Sequence, residues 1–296
     1  MLLDKCGSTG RRFISATAFS MGAWVLLPPL VVSAADQPQD ILKHGAYLVE
    51  TVAACGNCHT PPVGPMAGTE LAGGFKFDFP EFTAYSANIT PDEDTGIGRW
   101  TDEQIITAIR GGKRPDGSLI GPPMPIELYR QLSDDDVEAM VAYLRTVEPV
   151  NNPVPKSEFR IPLPDSYGPA LTEVPEVPKD DPVAYGEYLA GPVAHCIECH
   201  TPVVNGHRDF EHQAGLGGFE FEGPWGISKA RNITADPENG IGDWTDQQIK
   251  TAITQGERPD GTKLKPPMPF YAYQQMKSED LDAIVAYLRT LTPSEQ

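Results

Sequence analysis

The chain has 296 residues, a length that two domains of ordinary size would fill. Its 41 acidic and 23 basic residues give a formal charge of −18, which argues against a nucleic-acid partner and suits either a solvated surface or a basic face on a protein partner. Five cysteines are too few for a disulfide-dense scaffold.

Residues 1–35 are unlike the rest. Arg11 and Arg12 precede a mostly apolar run from Phe13 to Val32, and the small residues Ser33, Ala34 and Ala35 follow. This is the layout of a secretory signal peptide cleaved near Ala35, and it predicts a periplasmic protein. An uncleaved anchor is the alternative, since a run of about 20 residues approaches the length that spans a bilayer. Ser15, Thr17, Ser20, Gly22, Pro28 and Pro29 weigh against a stable span. Taking Lys5, Arg11 and Arg12 from the basic residues and Asp4 from the acidic ones leaves a formal charge of −20. The chain ends in Pro293-Ser294-Glu295-Gln296, so no anchor is expected there.

Cys6 leaves with the leader, and the other four cysteines stand in Cys55-Gly56-Asn57-Cys58-His59 and Cys196-Ile197-Glu198-Cys199-His200. On a helical turn, residues i and i+3 share a face, so two such cysteines can each add across a vinyl group of one porphyrin. The histidine beside the second cysteine then points at the iron. C-x-x-C-H is the c-type haem attachment pattern, and it predicts two covalent haems.

The attachment sites sit inside a repeated unit. HGAYLVETVAACGNCHT, from His44, matches YGEYLAGPVAHCIECHT, from Tyr185, at an offset of 141, and from Gly73 onward the offset is 144. Asn88-Ile89-Thr90, Trp100-Thr101-Asp102, Arg114-Pro115-Asp116-Gly117 and Pro122-Pro123-Met124-Pro125 all return in the second unit. Each unit reads as helical. A first helix runs through Tyr47 and Leu48, or Tyr188 and Leu189. Thr101 with Gln104, and Thr245 with Gln248, predict capping boxes on a second helix that stops near Gly111 or Gly256. Val137, Met140, Val141 and Leu144 form an apolar stripe on a last helix, as do Leu281, Ile284, Val285 and Leu288. Little strand signal is visible. The fold expected is therefore all-α, with one domain over 36–146, a Pro-rich connector over 147–180 and a second domain over 181–296.

A haem iron held by His59 or His200 needs a ligand on its other side. Met140 is matched by Ile284 and Met276 by Leu132, which marks both as core positions, and Met66 lies in an unmatched loop. Only Met124 and Met268 coincide, and a thioether is a soft neutral ligand that raises the potential of a haem iron. A turn with a core methionine is the plainer alternative. Trp100 and Trp244 could donate an indole N–H to a haem propionate or could pack in the core. Arg114 and Arg258 could pair with a propionate or could belong to a turn. His195 reads as a polar neighbour of a haem, and His44 as exposed. Asn88 and Asn232 match a glycosylation pattern, but a haem-contacting turn is the better account.

Residues 40–146 and 181–290 each resemble a class I cytochrome c domain. The N-I-T, G-I-G-x-W-T-D and P-P-M-P blocks are similar to those of the cytochrome c subunits of bacterial periplasmic alcohol and sugar dehydrogenases, and of small soluble di-haem cytochromes. The resemblance implies helices wrapped around each haem and a role in passing electrons. The leading expectation is a periplasmic di-haem carrier exchanging single electrons with a dehydrogenase, an oxidase or another cytochrome. The alternative is a haem subunit bound to a dehydrogenase. A di-haem peroxidase or sulfur-compound dehydrogenase ranks last, because such an enzyme needs an iron with an open position and neither unit offers one.

Overall fold

In the computed structural model, residues 38–169, 173–204, 206–223 and 225–292 are described; the expected leader lies outside them. The first unit opens with α1 (Gln39–Ala46), which continues as π-helical turns over Tyr47–Val52. A short helix, α2 (Gly56–His59), carries the attachment motif. Then come β1 (Lys76–Phe79), β2 (Phe82–Tyr85), α3 (Asp102–Gly111), α4 (Ile126–Tyr129) and α5 (Asp134–Leu144). The second unit repeats the plan. Its helices are α6 (Pro182–Tyr188), prolonged by π-helical turns over Leu189–Val193, α7 (Cys196–His200), α8 (Asp246–Gln255), α9 (Phe270–Tyr273) and α10 (Ser278–Leu288).

The sequence features that mark helix ends behave as expected. Thr101 Oγ1 accepts from the Gln104 N–H at 3.3 Å while Gln104 Oε1 accepts from the Thr101 N–H at 2.9 Å, and Thr245 and Gln248 make the same reciprocal pair. α3 ends one residue later than the sequence suggests. Gly112, not Gly111, takes the left-handed conformation that closes it, with φ of 63°. Arg145 and Arg289 stand at the ends of α5 and α10, but their guanidinium groups turn away from the helix. Each bonds carbonyls of the preceding G-I-G-x-W loop and an aspartate, Asp102 or Asp246.

The expectation of an all-α fold is wrong. Seven short strands are present among the described residues, all in antiparallel pairings. β1 pairs with β2, which pairs with β3 (Glu158–Phe159) from the connector. β4 (Val203–Val204) pairs with β5 (His207–Arg208), and β6 (Glu220–Gly223) with β7 (Gly226–Lys229). Lys76-Phe77-Asp78-Phe79 does alternate polar with aromatic, the period-2 pattern of a strand, but four residues are too few to stand out. The aromatic rings of these hairpins meet. Phe79 and Phe219, one from each unit, lie 6.2 Å apart between ring centroids.

The connector lies over the first unit. Beyond β3, the Tyr167 hydroxyl donates to the Ile120 carbonyl at 2.7 Å, and the backbone at Val174 exchanges hydrogen bonds with Asp134. Asp134 in turn holds the buried Arg110 at 2.5 Å.

The halves share a single apolar core, drawing Leu48, Val52, Leu132 and Met140 from one and Leu189, Val193, Ile284 and Leu288 from the other. Polar contacts across the seam are reciprocal. Tyr47 donates its hydroxyl to Asp280 at 2.6 Å, and its counterpart Tyr188 donates to Asp136 at 2.5 Å. Each phenolic oxygen also accepts a backbone N–H, from Lys277 at 3.0 Å and from Ser133 at 3.1 Å. His44, which the sequence places in solvent, instead reaches Asp136 at 2.5 Å.

Burial alone would raise the Asp136 carboxyl, but donation from His44 and Tyr188, aided by the charge of Lys179, outweighs it and holds the pKa below the usual range. A carboxylate depressed in the folded state stabilises the fold above its unfolded pKa, near 4, and the contribution is lost as pH falls through the lower folded value. Asp136→Asn is therefore expected to flatten the loss of thermal stability below about pH 4, read from melting curves collected down to about pH 2.

Candidate functional site

Each attachment turn is aimed by the backbone just before it. The π-helical turns end at Val52 and Val193, and two residues further on Ala54 (φ 46°) and His195 (φ 44°) take the left-handed conformation. This swings the chain into the attachment helix, where the His59 N–H bonds the Cys55 carbonyl at 2.9 Å. The i, i+3 geometry puts Cys55 and Cys58 on one face, and likewise Cys196 and Cys199. All four sulfurs are half-buried.

The histidines carry the most telling geometry. His59 Nδ1 lies 2.7 Å from the Ala87 carbonyl oxygen, and His200 Nδ1 lies 2.6 Å from that of Arg231. A carbonyl can only accept, so Nδ1 bears the proton and Nε2 keeps its lone pair. Burial also pushes both imidazoles toward the neutral form, against the pull of those carbonyls. A neutral ring with Nδ1 anchored on backbone is the form in which histidine binds a metal. The residues present therefore fit a haem.

The double glycines of the repeat serve this anchoring. A Cβ on Gly73 would come within 2.5 Å of the Ala87 carbonyl oxygen, and one on Gly217 within 2.6 Å of the Arg231 carbonyl oxygen. These are the acceptors of the two imidazoles. Both glycines have positive φ, 72° and 76°, so a side chain is excluded twice over.

Met124 and Met268 stand half-buried on loops that lead into α4 and α9, packed against the shared core. Each loop is closed by the same turn: the Ile126 N–H bonds the Met124 carbonyl at 2.9 Å, and the Phe270 N–H bonds that of Met268 at 3.0 Å. Met140 and Met276, set aside as core positions, are indeed buried. Trp244 and Arg258 come together, with the guanidinium carbon 6.0 Å from the ring centroid, at the outer limit of a cation–π contact. In the first unit, Arg114 is held by the Leu119 carbonyl at 2.8 Å inside its own turn, and Trp100 packs against the core. Asn88 is buried and caps Thr90 through its side-chain oxygen, which excludes it as a glycan acceptor.

Some contacts were not foreseen from the sequence. His195 Nε2 reaches the Ala53 carbonyl at 3.4 Å, and its ring meets Tyr129 edge-on at 5.8 Å, so it bridges the two units. Asn57 Nδ2 donates to the Pro267 carbonyl at 2.8 Å, again across the seam. No spacing rule announces such pairs. The one available hint is a polar side chain at a position whose repeat partner has different chemistry.

A helical unit used twice, each copy closing a C-x-x-C-H turn over an anchored imidazole, defines a c-type haem protein of two centres. Comparison with known proteins agrees. The Cytochrome c family model matches residues 42–148 and 183–292. The fructose dehydrogenase cytochrome subunit of Gluconobacter japonicus is 33% identical, over 95% of this chain and 60% of that one. The cytochrome c subunit of the quinone alcohol dehydrogenase of Gluconobacter oxydans is 32% identical, over 87% of this chain and 56% of that one. A diheme cytochrome c-type protein of Cereibacter sphaeroides is 29% identical, over 81% of this chain and 83% of its own length. The chain spans about 60% of the length of the first two relatives. It belongs to the cytochrome c family and carries two covalently bound haem c groups. No helix among the described residues is long and apolar enough to cross a membrane.

Proposed function

We propose that the chain works in the periplasm as a di-haem carrier, accepting electrons one at a time from a dehydrogenase and handing them to a further redox protein. On this reading residues 1–35 are a leader removed on export, and the haem modules occupy 36–146 and 181–296 with 147–180 as connector. Cys55 and Cys58 bind one haem through thioethers, and Cys196 and Cys199 the other. His59 and His200 would hold iron through Nε2, and Met124 and Met268 would supply a thioether ligand to each. Trp100, Trp244, Arg114 and Arg258 would be available to bond the haem propionates. When bound, each haem supplies a one-electron iron couple, whose potential its axial ligands set.

The observation that carries this reading is the pair of imidazoles fixed by backbone carbonyls, which presents Nε2 to a metal in both units. With Met124 and Met268 as thioether ligands, neither iron would keep the open position that an enzyme needs, so the chain relays electrons and does not itself turn over substrate. The acidic surface suits association with a basic redox partner.

A second reading, that the chain is a bound haem subunit of a dehydrogenase, is favoured by the names of its Gluconobacter relatives. Size fractionation of a native extract separates the two. The carrier elutes near its own mass, free of dehydrogenase activity. Co-elution with a larger, substrate-oxidising partner supports the subunit instead, and peroxidase activity in the isolated chain contradicts both.

A further inference from the structure

The two modules touch where their iron sites lie. Asn57, between the two cysteines of the first attachment turn, donates its side-chain amide to the Pro267 carbonyl at 2.8 Å. Pro267 immediately precedes Met268. The loop that presents the second module's methionine is thus held from outside, by the turn that attaches the first module's haem.

The contact is not reciprocated. The position equivalent to Asn57 is Glu198, and the loop equivalent to Pro267 holds Pro123. A carboxylate offers oxygens, which cannot donate to a carbonyl. Glu198 turns instead to Arg208, whose Nε lies 3.4 Å from it, and among the described residues it makes no hydrogen bond to Pro123. The internal turns of the two methionine loops are matched, at 2.9 Å and 3.0 Å. Asn57 is therefore a difference between two otherwise similar loops.

We propose that Asn57 is a positioning residue for Met268, so that the ligand strength at the second iron is set in part from the first haem's attachment turn. The inference rests on the reading of Met268 as an iron ligand. A methionine on iron is displaced by an external ligand such as imidazole only when its loop swings away, and a hydrogen bond on the adjacent carbonyl opposes that swing. Removing one neutral hydrogen bond should therefore raise the affinity of the second iron for imidazole by about five- to tenfold. The first iron should not respond.

The test is an imidazole titration of the full-length, oxidised, haem-loaded protein, following the methionine methyl proton resonance of each haem, with Met124→Ala and Met268→Ala used for assignment. Asn57→Ala removes the donor outright. Asn57→Asp keeps the shape but offers no amide hydrogen, and serves if the alanine variant matures poorly. Selective loosening of the second haem's methionine in either variant supports the proposal. Unchanged affinity at the second haem, or equal loosening at both haems, overturns it. If Met268→Ala itself leaves both haems unaltered, the ligand assignment has failed, and the proposal falls with it for that separate reason.

Discussion

Replacing Met268 with alanine should lower the potential of one haem by roughly 0.1–0.3 V, leave the other near its original value, and open one iron to small ligands such as cyanide or carbon monoxide. Met124→Ala should do the same to the other haem. The physical reason is the electronic character of the ligand. A thioether is neutral and soft and favours the reduced iron, whereas the water that takes its place favours the oxidised one. The assignment draws on the repeat and on burial together. Of the methionines after the leader, Met140 and Met276 are buried core residues, and Met124 and Met268 stand half-buried on equivalent loops at equivalent turns. Spectroelectrochemical titration checks the result, together with loss of part of the methionine-to-iron charge-transfer band at the red edge of the visible spectrum. Two unshifted potentials and no new ligand access would show that the sulfurs are not on the irons.

The second large effect is expected far from either iron. Gly45 in α1 lies against α5, where an added Cβ would stand 1.9 Å from the Ala139 carbonyl oxygen and 2.9 Å from the Tyr143 Cβ. Gly186 in α6 lies against α10 in the same way, with a Cβ 1.9 Å from the Ala283 carbonyl oxygen. The obstacle is backbone, which cannot step aside as a side-chain tip can. The helices must separate, and the shared core around Leu48, Val137 and Met140 opens with them. Overpacking usually costs about 1–3 kcal/mol, and a backbone collision on this scale should cost about 3 kcal/mol or more. Gly45→Ala and Gly186→Ala should each lower the melting temperature steeply, or prevent haem maturation altogether. Melting temperatures close to the parent's would mean that the helices are not in the contact described.

Much of this architecture is legible in the sequence because its determinants are local. A capping box is written in four residues, Thr101 to Gln104, and an attachment turn in five. The stripe Val137, Met140, Val141, Leu144 is buried throughout, as its spacing predicts. Local patterns fail where two distant stretches decide the outcome. The hairpins are too short to show a period, and β3 is a strand only because the connector happens to run beside β2. The π-helical turns at Tyr47–Val52 and Leu189–Val193 leave no mark in a pattern scaled to 3.6 residues. His44 reads as a surface residue on α1 because nothing nearby in sequence shows that Asp136 will stand opposite it. Asn57 reads as a filler position in C-x-x-C-H for the same reason, since its partner is 210 residues away. What the repeat does reveal is where to look: Tyr47 and Tyr188, Asp136 and Asp280 are equivalent pairs, and they build a seam that neither half could close alone.

The central claim is that a doubled unit holds one covalent haem in each half, through Cys55 and Cys58 in the first and Cys196 and Cys199 in the second. Intact-mass spectrometry of protein matured in a bacterium able to attach c-type haem tests it most directly. The account predicts a mass excess of two haems that survives denaturation, with one haem assigned to the peptide around each attachment turn. A single covalent haem, or haem that washes away on denaturation, would contradict it.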